Sequence, residues 1–141
     1  MSTLKVNTVQ HNTSGFNNVV QFTDGGGTQN GVLCRAWVNF DGTFGTSPFT
    51  TANGGIRAAF NVSSITDNGT GDYTVNFSNS LPDGNYCLVA TQGQNGNSNP
   101  NYVMTVKEVV NAPGTGGFTL TTNGATGGTA DSDGVYVAVF R

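Results

Sequence analysis

Apolar and polar residues alternate with a period of two in several short stretches of this chain. The clearest case is residues 73–77, where Tyr73, Val75 and Phe77 are separated by Thr74 and Asn76. Successive side chains of a β-strand point to opposite faces of the sheet, so this alternation predicts strands with one buried face. The predicted strands are 32–40, 56–60, 62–66, 73–77, 86–91, 102–110, 117–122 and 135–140.

The first predicted strand assigns its side chains to two faces. These faces separate Arg35, Trp37 and Asn39 from Cys34, Ala36, Val38 and Phe40. The alternation favours burial of the more apolar face.

The strands are short and are separated by turn residues. Asn61 interrupts an apolar run and predicts a bulge between residues 56–60 and 62–66. Turns rich in Gly, Asn and Asp follow at 67–71 and 81–84. About seven strands at this spacing indicate an all-β fold, an antiparallel β-sandwich with the form of a jelly-roll-like knob.

The composition favours strands over helices. Gly, Thr and Asn contribute 21, 20 and 18 residues, and Ala, Leu, Glu and Lys are scarce. Gly and Asn are unfavourable inside helices, whereas Thr, Val, Phe and Tyr suit a pleated surface. Leu, Ile, Val and Phe total 32 of the 141 residues, just above the level at which chains fail to bury a core. We therefore expect a folded domain whose thin core is completed by a partner subunit.

Residues 1–31 differ from the rest of the chain. Leu4, Val6 and Val9 form one brief apolar patch in a polar surrounding. A free segment of this kind is ordinarily mobile, so we expect a docking partner or a neighbouring subunit to hold it. The alternative is that it lies along its own domain. The sequence thus predicts an attachment segment at 1–31, with contacts through these three residues, and a knob domain at 32–141.

Charge and hydropathy argue against several partners. The chain has five basic and eight acidic residues, a net charge of −3, whereas nucleic-acid binding needs clustered Lys and Arg. Its apolar runs are too short to predict a membrane span or a signal peptide. We therefore expect synthesis in a cytoplasm, with Cys34 and Cys87 as free thiols in the core. A disulfide between them requires that their strands face each other.

Candidate catalytic and metal-binding residues are few. His11, the single histidine, lies in the polar N-terminal segment, and nothing in the sequence suggests a nucleophile and base assembled around it. Acidic pairs at Asp67/Asp72 and Asp131/Asp133 lie at Gly-containing turns, where turn formation is favoured and an ion site is the alternative. We expect no enzymatic activity, no cofactor and no bound metal.

Trp37 is the only tryptophan and has two interpretations. It is either a stacking platform for a sugar ring, with Tyr102 beside it, or an anchor in the core or in a subunit interface. A single tryptophan within a strand favours the second interpretation. Phe40 and the apolar strand 135–140 are further interface candidates.

Three stretches resemble a small domain of fibre and fibre-like proteins from marine and cyanobacterial tailed phages. They are residues 2–10 (STLKVNTVQ), residues 35–42 with 56–77 (RAWVNFDG and IRAAFNVSSITDNGTGDYTVNF), and residues 135–141 (VYVAVFR). The resemblance implies a virion component of the tail or particle surface, made in the host cytoplasm. It also implies a homotrimer that is attached to other virion proteins by its N-terminus and presents a β-knob outward.

The loops 43–55 and 92–101 lie outside this resemblance, and we expect them to contact host surface polysaccharide. The candidate contact residues are Asn53, Gln94, Asn95, Asn97, Asn99 and Tyr102. One alternative is a head-fibre, decoration or adaptor protein with a purely structural role. A more distant alternative is a β-fold glycan hydrolase or lyase, which needs two carboxylates facing one cleft.

Overall fold

The computed structural model describes residues 20–24, 26–93, 103–109, 112–124 and 126–141. Within these residues the chain forms ten strands and no helix. The chain divides into two units, with the boundary in the sequence between Val32 and Leu33. Leu4, Val6 and Val9 lie outside the described residues, so their role in attachment stays a prediction.

The first unit contains an antiparallel hairpin of β1 (Val20–Asp24) and β2 (Gly27–Gly31). The hydrophobic pattern did not predict it, because β2 (GTQNG) has no apolar side chain to alternate with the polar ones.

The second unit is a sandwich of two four-stranded sheets. Its strands are β3 (Cys34–Phe40), β4 (Ile56–Phe60), β5 (Val62–Gly69), β6 (Asp72–Phe77), β7 (Cys87–Gln92), β8 (Met104–Val106), β9 (Gly117–Thr122) and β10 (Val135–Phe140). One sheet has the order β4-β3-β10-β7 and the other β5-β6-β9-β8, and every pairing is antiparallel. The prediction of an all-β antiparallel sandwich is confirmed.

Asn61 is the point at which the chain leaves one sheet for the other. It separates β4 from β5 and has a φ of 54°, a left-handed conformation that Asn tolerates. Its side-chain amide donates to the carbonyls of Arg35 and Asn79 at 3.1 Å each, and its Oδ1 accepts the Asn79 backbone N–H at 2.8 Å. The break predicted as a bulge is therefore a crossing between sheets that this side chain holds in place.

The core lies between the two sheets and is rich in aromatic rings. Strands β3, β4, β5, β6, β9 and β10 and two loop residues supply the buried apolar set, and β7 and β8 pack partly buried side chains against it. The buried set is Ala36, Val38, Phe40, Phe49, Ile56, Ile65, Tyr73, Val75, Phe77, Leu81, Phe118, Leu120, Val135, Val137 and Val139. One ring group joins Phe40, Phe44, Phe49 and Tyr73, and another joins Phe77, Tyr86 and Phe118. Centroids 5.3 to 6.3 Å apart with tilted planes are the favoured geometry for such rings.

The buried hydroxyl of Tyr73 connects the core to the loop before β10. It lies 2.7 Å from Asp131 Oδ1 and 2.8 Å from the carbonyl oxygen of Gly42, both hydrogen-bond acceptors. Asp131 Oδ1 also accepts the Gly71 N–H at 2.7 Å. Burial, and then the hydrogen bond to Asp131, raise the pKa of Tyr73. Burial likewise raises the pKa of Tyr86 to about 12.

These two tyrosines predict loss of stability at alkaline pH. Each phenol keeps its proton to a higher pH in the fold than in the unfolded chain, where its pKa is about 10. Above that pH the unfolded state binds fewer protons, so the free energy of unfolding falls as pH rises from about 10 through 12 and is unaffected below. Urea unfolding between about pH 8 and pH 12 measures this, and Tyr86→Phe should reduce the slope. A midpoint that stays constant over this range would contradict the account.

Candidate functional site

The outer face of the β4-β3-β10-β7 sheet carries a row of exposed apolar side chains. Strand register aligns Phe60 with Trp37, Trp37 with Ala138, and Ala138 with Val89, so the row crosses the sheet from edge to edge. Phe60 is 54 % exposed, Trp37 39 % and Val89 57 %. Isolated exposed apolar residues are ordinary on a protein surface, but a contiguous row marks an interaction surface.

Neighbouring rows extend this surface along the strands. Tyr136, 43 % exposed, lies two residues before Ala138 on β10, and Phe140 lies two residues after it. The Tyr136 ring lies close to Gly134, where an added Cβ would approach the phenol oxygen to 3.0 Å. We name the set Trp37, Phe60, Val89, Tyr136, Ala138 and Phe140 the aromatic face.

Two cysteines flank Phe140 in this sheet. Phe140 pairs with Cys34 on one side and with Cys87 on the other. Both thiols are free and exposed, so the prediction of free thiols is confirmed and their placement in the core is wrong. Because β10 separates the two strands, the thiols are about 10 Å apart, too far for a disulfide within one chain.

The local reason for the exposure of Cys34 is a shift in strand register. Ala36 pairs with Val139 and Cys34 with Phe140, so Arg35 is an extra residue on β3. Such a bulge changes which face the residues beyond it occupy.

The interface candidates need one further correction. Phe40 is fully buried between the sheets and cannot contact a partner. Strand β10 lies inside its sheet, between β3 and β7, and Val135, Val137 and Val139 are core residues. Only the outward residues of β10 remain available. Trp37 is outside the core, which leaves the interface and sugar-stacking interpretations.

The strands below the aromatic face carry few charges. Arg35 and Arg57 are the only charged residues in the four strands of this sheet. Arg57 is paired with Asp41 at 3.1 Å, and elsewhere Lys107 pairs with Asp72. Arg141 pairs with Asp83, which leaves Arg35 as the only basic residue of the described chain outside an ion pair. The aromatic face is therefore close to neutral.

The outer face of the β5-β6-β9-β8 sheet has the opposite character. Its Asn, Ser and Thr side chains hydrogen-bond to one another across the strands, through the pairs Asn76–Ser64, Asn76–Thr66, Asn68–Thr74, Thr74–Thr119 and Thr105–Thr121. The two outer faces thus differ: one carries exposed apolar side chains, and the other carries polar side chains that are hydrogen-bonded to one another.

The loop between β3 and β4 presents one of the predicted contact residues. Asn53 is exposed, but its Oδ1 accepts the backbone N–H groups of Thr50 and Gly55, at 2.8 and 3.1 Å. Its amide donates to the carbonyl of Pro48 at 2.9 Å. Below it, Phe49 is fully buried and its backbone pairs with Ile65 of β5. Asn53 therefore shapes the loop, and its contact with a glycan stays a prediction.

This geometry predicts the effect of removing the Asn53 side chain. Asn53→Ala deletes the acceptor of two backbone donors and should cost about 1 kcal/mol, the usual value of a capping side chain. Hydrogen exchange at the Thr50 and Gly55 amides should become faster. Asn53→Asp is the matched control, because it keeps the accepting oxygen. Equal exchange rates in the Ala variant and the unmodified chain would show that the loop does not depend on this side chain.

Gln94, Asn95, Asn97, Asn99 and Tyr102 lie outside the described residues, so they stay predictions.

The acidic pairs engage turn and ion-pair partners. Asp67 Oδ1 accepts the Gly69 N–H at 2.9 Å, and Asp72 pairs with Lys107 at 2.5 Å. Asp131 accepts from Gly71 and Tyr73, which are remote from it in sequence, so of these three carboxylates only Asp67 makes a contact within its own turn. In the described part of the chain, no group of three or more His, Cys, Asp or Glu side chains is placed to hold a metal ion.

No protein-family model, curated protein or solved structure matches this chain. Among the residues that the structure describes, no helix is long and apolar enough to cross a membrane.

The aromatic face was only partly visible in the sequence. The sequence predicts interface roles for Trp37 and for strand 135–140, which contains Tyr136, but it gives no such prediction for Phe60 and Val89. Their exposure depends on the pairing of β4, β3, β10 and β7, strands that are distant in sequence. The available signal was the apolar character of both faces in VYVAVF, since a strand with one hydrated face alternates with polar residues.

Proposed function

We propose that this chain is a non-enzymatic fibre protein of a tailed-phage particle. It works as a homotrimer, is attached to other tail proteins through residues 1–31, and adheres to host surface glycans through the loops of its β-sandwich. It is made in the host cytoplasm and resides on the particle surface.

The observation that carries this proposal is the contrast between the two outer faces of the sandwich. An exposed aromatic face on one sheet suits assembly into an oligomer. A hydrogen-bonded Thr, Asn and Ser surface on the other suits a hydrated exterior. Fibre proteins need both properties, and avidity from several subunits multiplies a weak glycan contact. The resemblance of residues 2–10, 35–42, 56–77 and 135–141 to phage fibre domains supports a phage particle as its location.

A purely structural role as a head-fibre, decoration or adaptor protein is the second candidate. Its support is the loop geometry, because Asn53 directs its polar atoms to its own loop. This role needs assembly and attachment but no receptor site. The two candidates share the virion location and differ only in adhesion.

One measurement separates these candidates, and a second tests the location that they share. Purified full-length protein is tested on an array of bacterial surface polysaccharides, with Tyr102→Ala and Gln94→Ala as loop variants. Adhesion predicts saturable binding that the loop variants weaken, and the structural role predicts none. Mass spectrometry of particles from cells that express the full chain or a variant lacking 1–31 tests location. A full chain that never enters particles would reject both candidates.

A further inference from the structure

The large side chains of the aromatic face are exposed, and their extent can be compared with that of a subunit interface. A fully exposed aromatic side chain presents about 200 Å², so Phe60, Trp37 and Tyr136 together expose roughly 300 Å². One partner of a stable interface buries about 800 Å², of which roughly 60 % is non-polar. The three rings, together with Val89 and the Ala residues between them, supply most of that non-polar area.

We propose that the aromatic face binds other copies of this same chain and forms the subunit contact of the proposed homotrimer, on which this inference rests. Charge favours a second copy over other occupants. Each copy has a net charge of −3, so two copies repel each other wherever their charged surfaces meet. The aromatic face carries few charged side chains, so two copies can pack there without bringing like charges together. An anionic lipid surface would require a cluster of free basic residues around the rings, and Arg35 is the only basic residue of the described chain outside an ion pair.

The alternation of large and small side chains along the row also suits packing against a neighbouring copy. Trp37 and Val89 lie on either side of Ala138 in register, so large side chains flank a small one in the middle of the sheet. A ring from a neighbouring subunit can pack over Ala138 between them, as facing side chains interdigitate when two sheets stack. The face therefore has both projecting rings and a shallow depression at Ala138, into which a ring of the neighbouring copy can pack.

Trp37 makes this contact measurable without any substitution, because it is the only tryptophan of the chain. In the single copy the indole is 39 % exposed, and a neighbouring copy covers it. On dilution of the unmodified full chain we expect the assembly to dissociate. Acrylamide should then quench Trp37 roughly twofold more strongly, because the centre of an interface excludes solvent.

Charge substitutions on the two outer faces provide the matched comparison. Phe60→Glu and Val89→Glu should each weaken association about 30-fold or more, the loss typical of a central interface residue. Both variants retain Trp37 as a probe and alter exposed positions, and circular dichroism checks that they fold. Thr105→Glu places the same charge on an exposed position of the polar outer face and should leave the association constant unchanged.

The outcomes distinguish this inference from the proposed function. An assembly that survives both Phe60→Glu and Val89→Glu, or one in which acrylamide reaches Trp37 as readily as in the dissociated chain, would overturn the assignment of this face while the homotrimer stands. A chain that never associates would overturn both the face and the homotrimer. Location in the particle is decided independently, by detection of the chain in purified virions.

Discussion

Replacement of Phe49 by alanine should cost about 3 to 5 kcal/mol of unfolding free energy, the range found for aromatic side chains removed from a core. Phe49 is fully buried, and its ring lies 5.7 to 6.2 Å from those of Phe40, Phe44 and Tyr73. Its backbone also pairs with Ile65 on the opposite sheet. The vacated space is lined by rings that adjoin both sheets, so little collapse can refill it.

The loss should be visible in urea unfolding and in the loop itself. A domain of this size is stable by about 5 to 15 kcal/mol, so the Phe49→Ala variant should unfold at a much lower urea concentration. Val109→Ala is the control: Val109 is 92 % exposed, and surface substitutions usually change stability by less than about 0.5 kcal/mol. A Phe49→Ala effect as small as that of the control would show that this residue does not anchor the loop.

Replacement of Gly71 by alanine should cost about 3 kcal/mol, for two reasons that add. Gly71 has a φ of 65°, a left-handed conformation that is unfavourable for alanine. In addition, its new Cβ would lie 2.5 Å from the carbonyl oxygen of Thr122 and 2.7 Å from the backbone nitrogen of Ala130. Both obstacles are backbone atoms, so relief requires that β9 or the segment at 130 move.

A glycine-to-alanine substitution at an open position separates the cost of crowding at Gly71 from the general cost of replacing a glycine. Gly128→Ala is the matched control, because an added Cβ there meets no atom within 4 Å. The Gly71 variant should also weaken the hydrogen bond from the Gly71 N–H to Asp131, and with it the partner of the Tyr73 hydroxyl. Thermal unfolding of the two variants should therefore differ by several degrees, since about 1 kcal/mol shifts the midpoint by about 4 °C in a domain of this size. Equal midpoints would contradict the close packing at Gly71.

The strands of the sandwich were largely predictable from the sequence. Residues 73–77 and 135–140 form β6 and β10 because their alternation matches the two faces of a pleated strand. The turn at 67–71 was predicted, although β5 extends to Gly69 within it. Such local patterns predict a strand because the face to which each side chain points is set by its position relative to its neighbours in the same strand.

The aromatic face and the exposure of the cysteines could not be predicted in the same way. Cys87 precedes Leu88, and both residues are apolar, so the local pattern does not say which of the two points into the core. The exposure of Cys34 depends on the extra residue in β3 opposite β10. Phe49 was similarly hidden, because a single apolar residue in a long polar loop has no periodicity. These features arise from pairings between strands that are remote in sequence.

The central claim, that this sandwich is one subunit of a homotrimer, is tested most directly by the solution mass of the unmodified full chain. Light scattering coupled to size exclusion should give a mass near three times 14.6 kDa, about 44 kDa, at micromolar concentration. A single species at 14.6 kDa over the whole accessible concentration range would contradict the claim and leave the aromatic face without its partner.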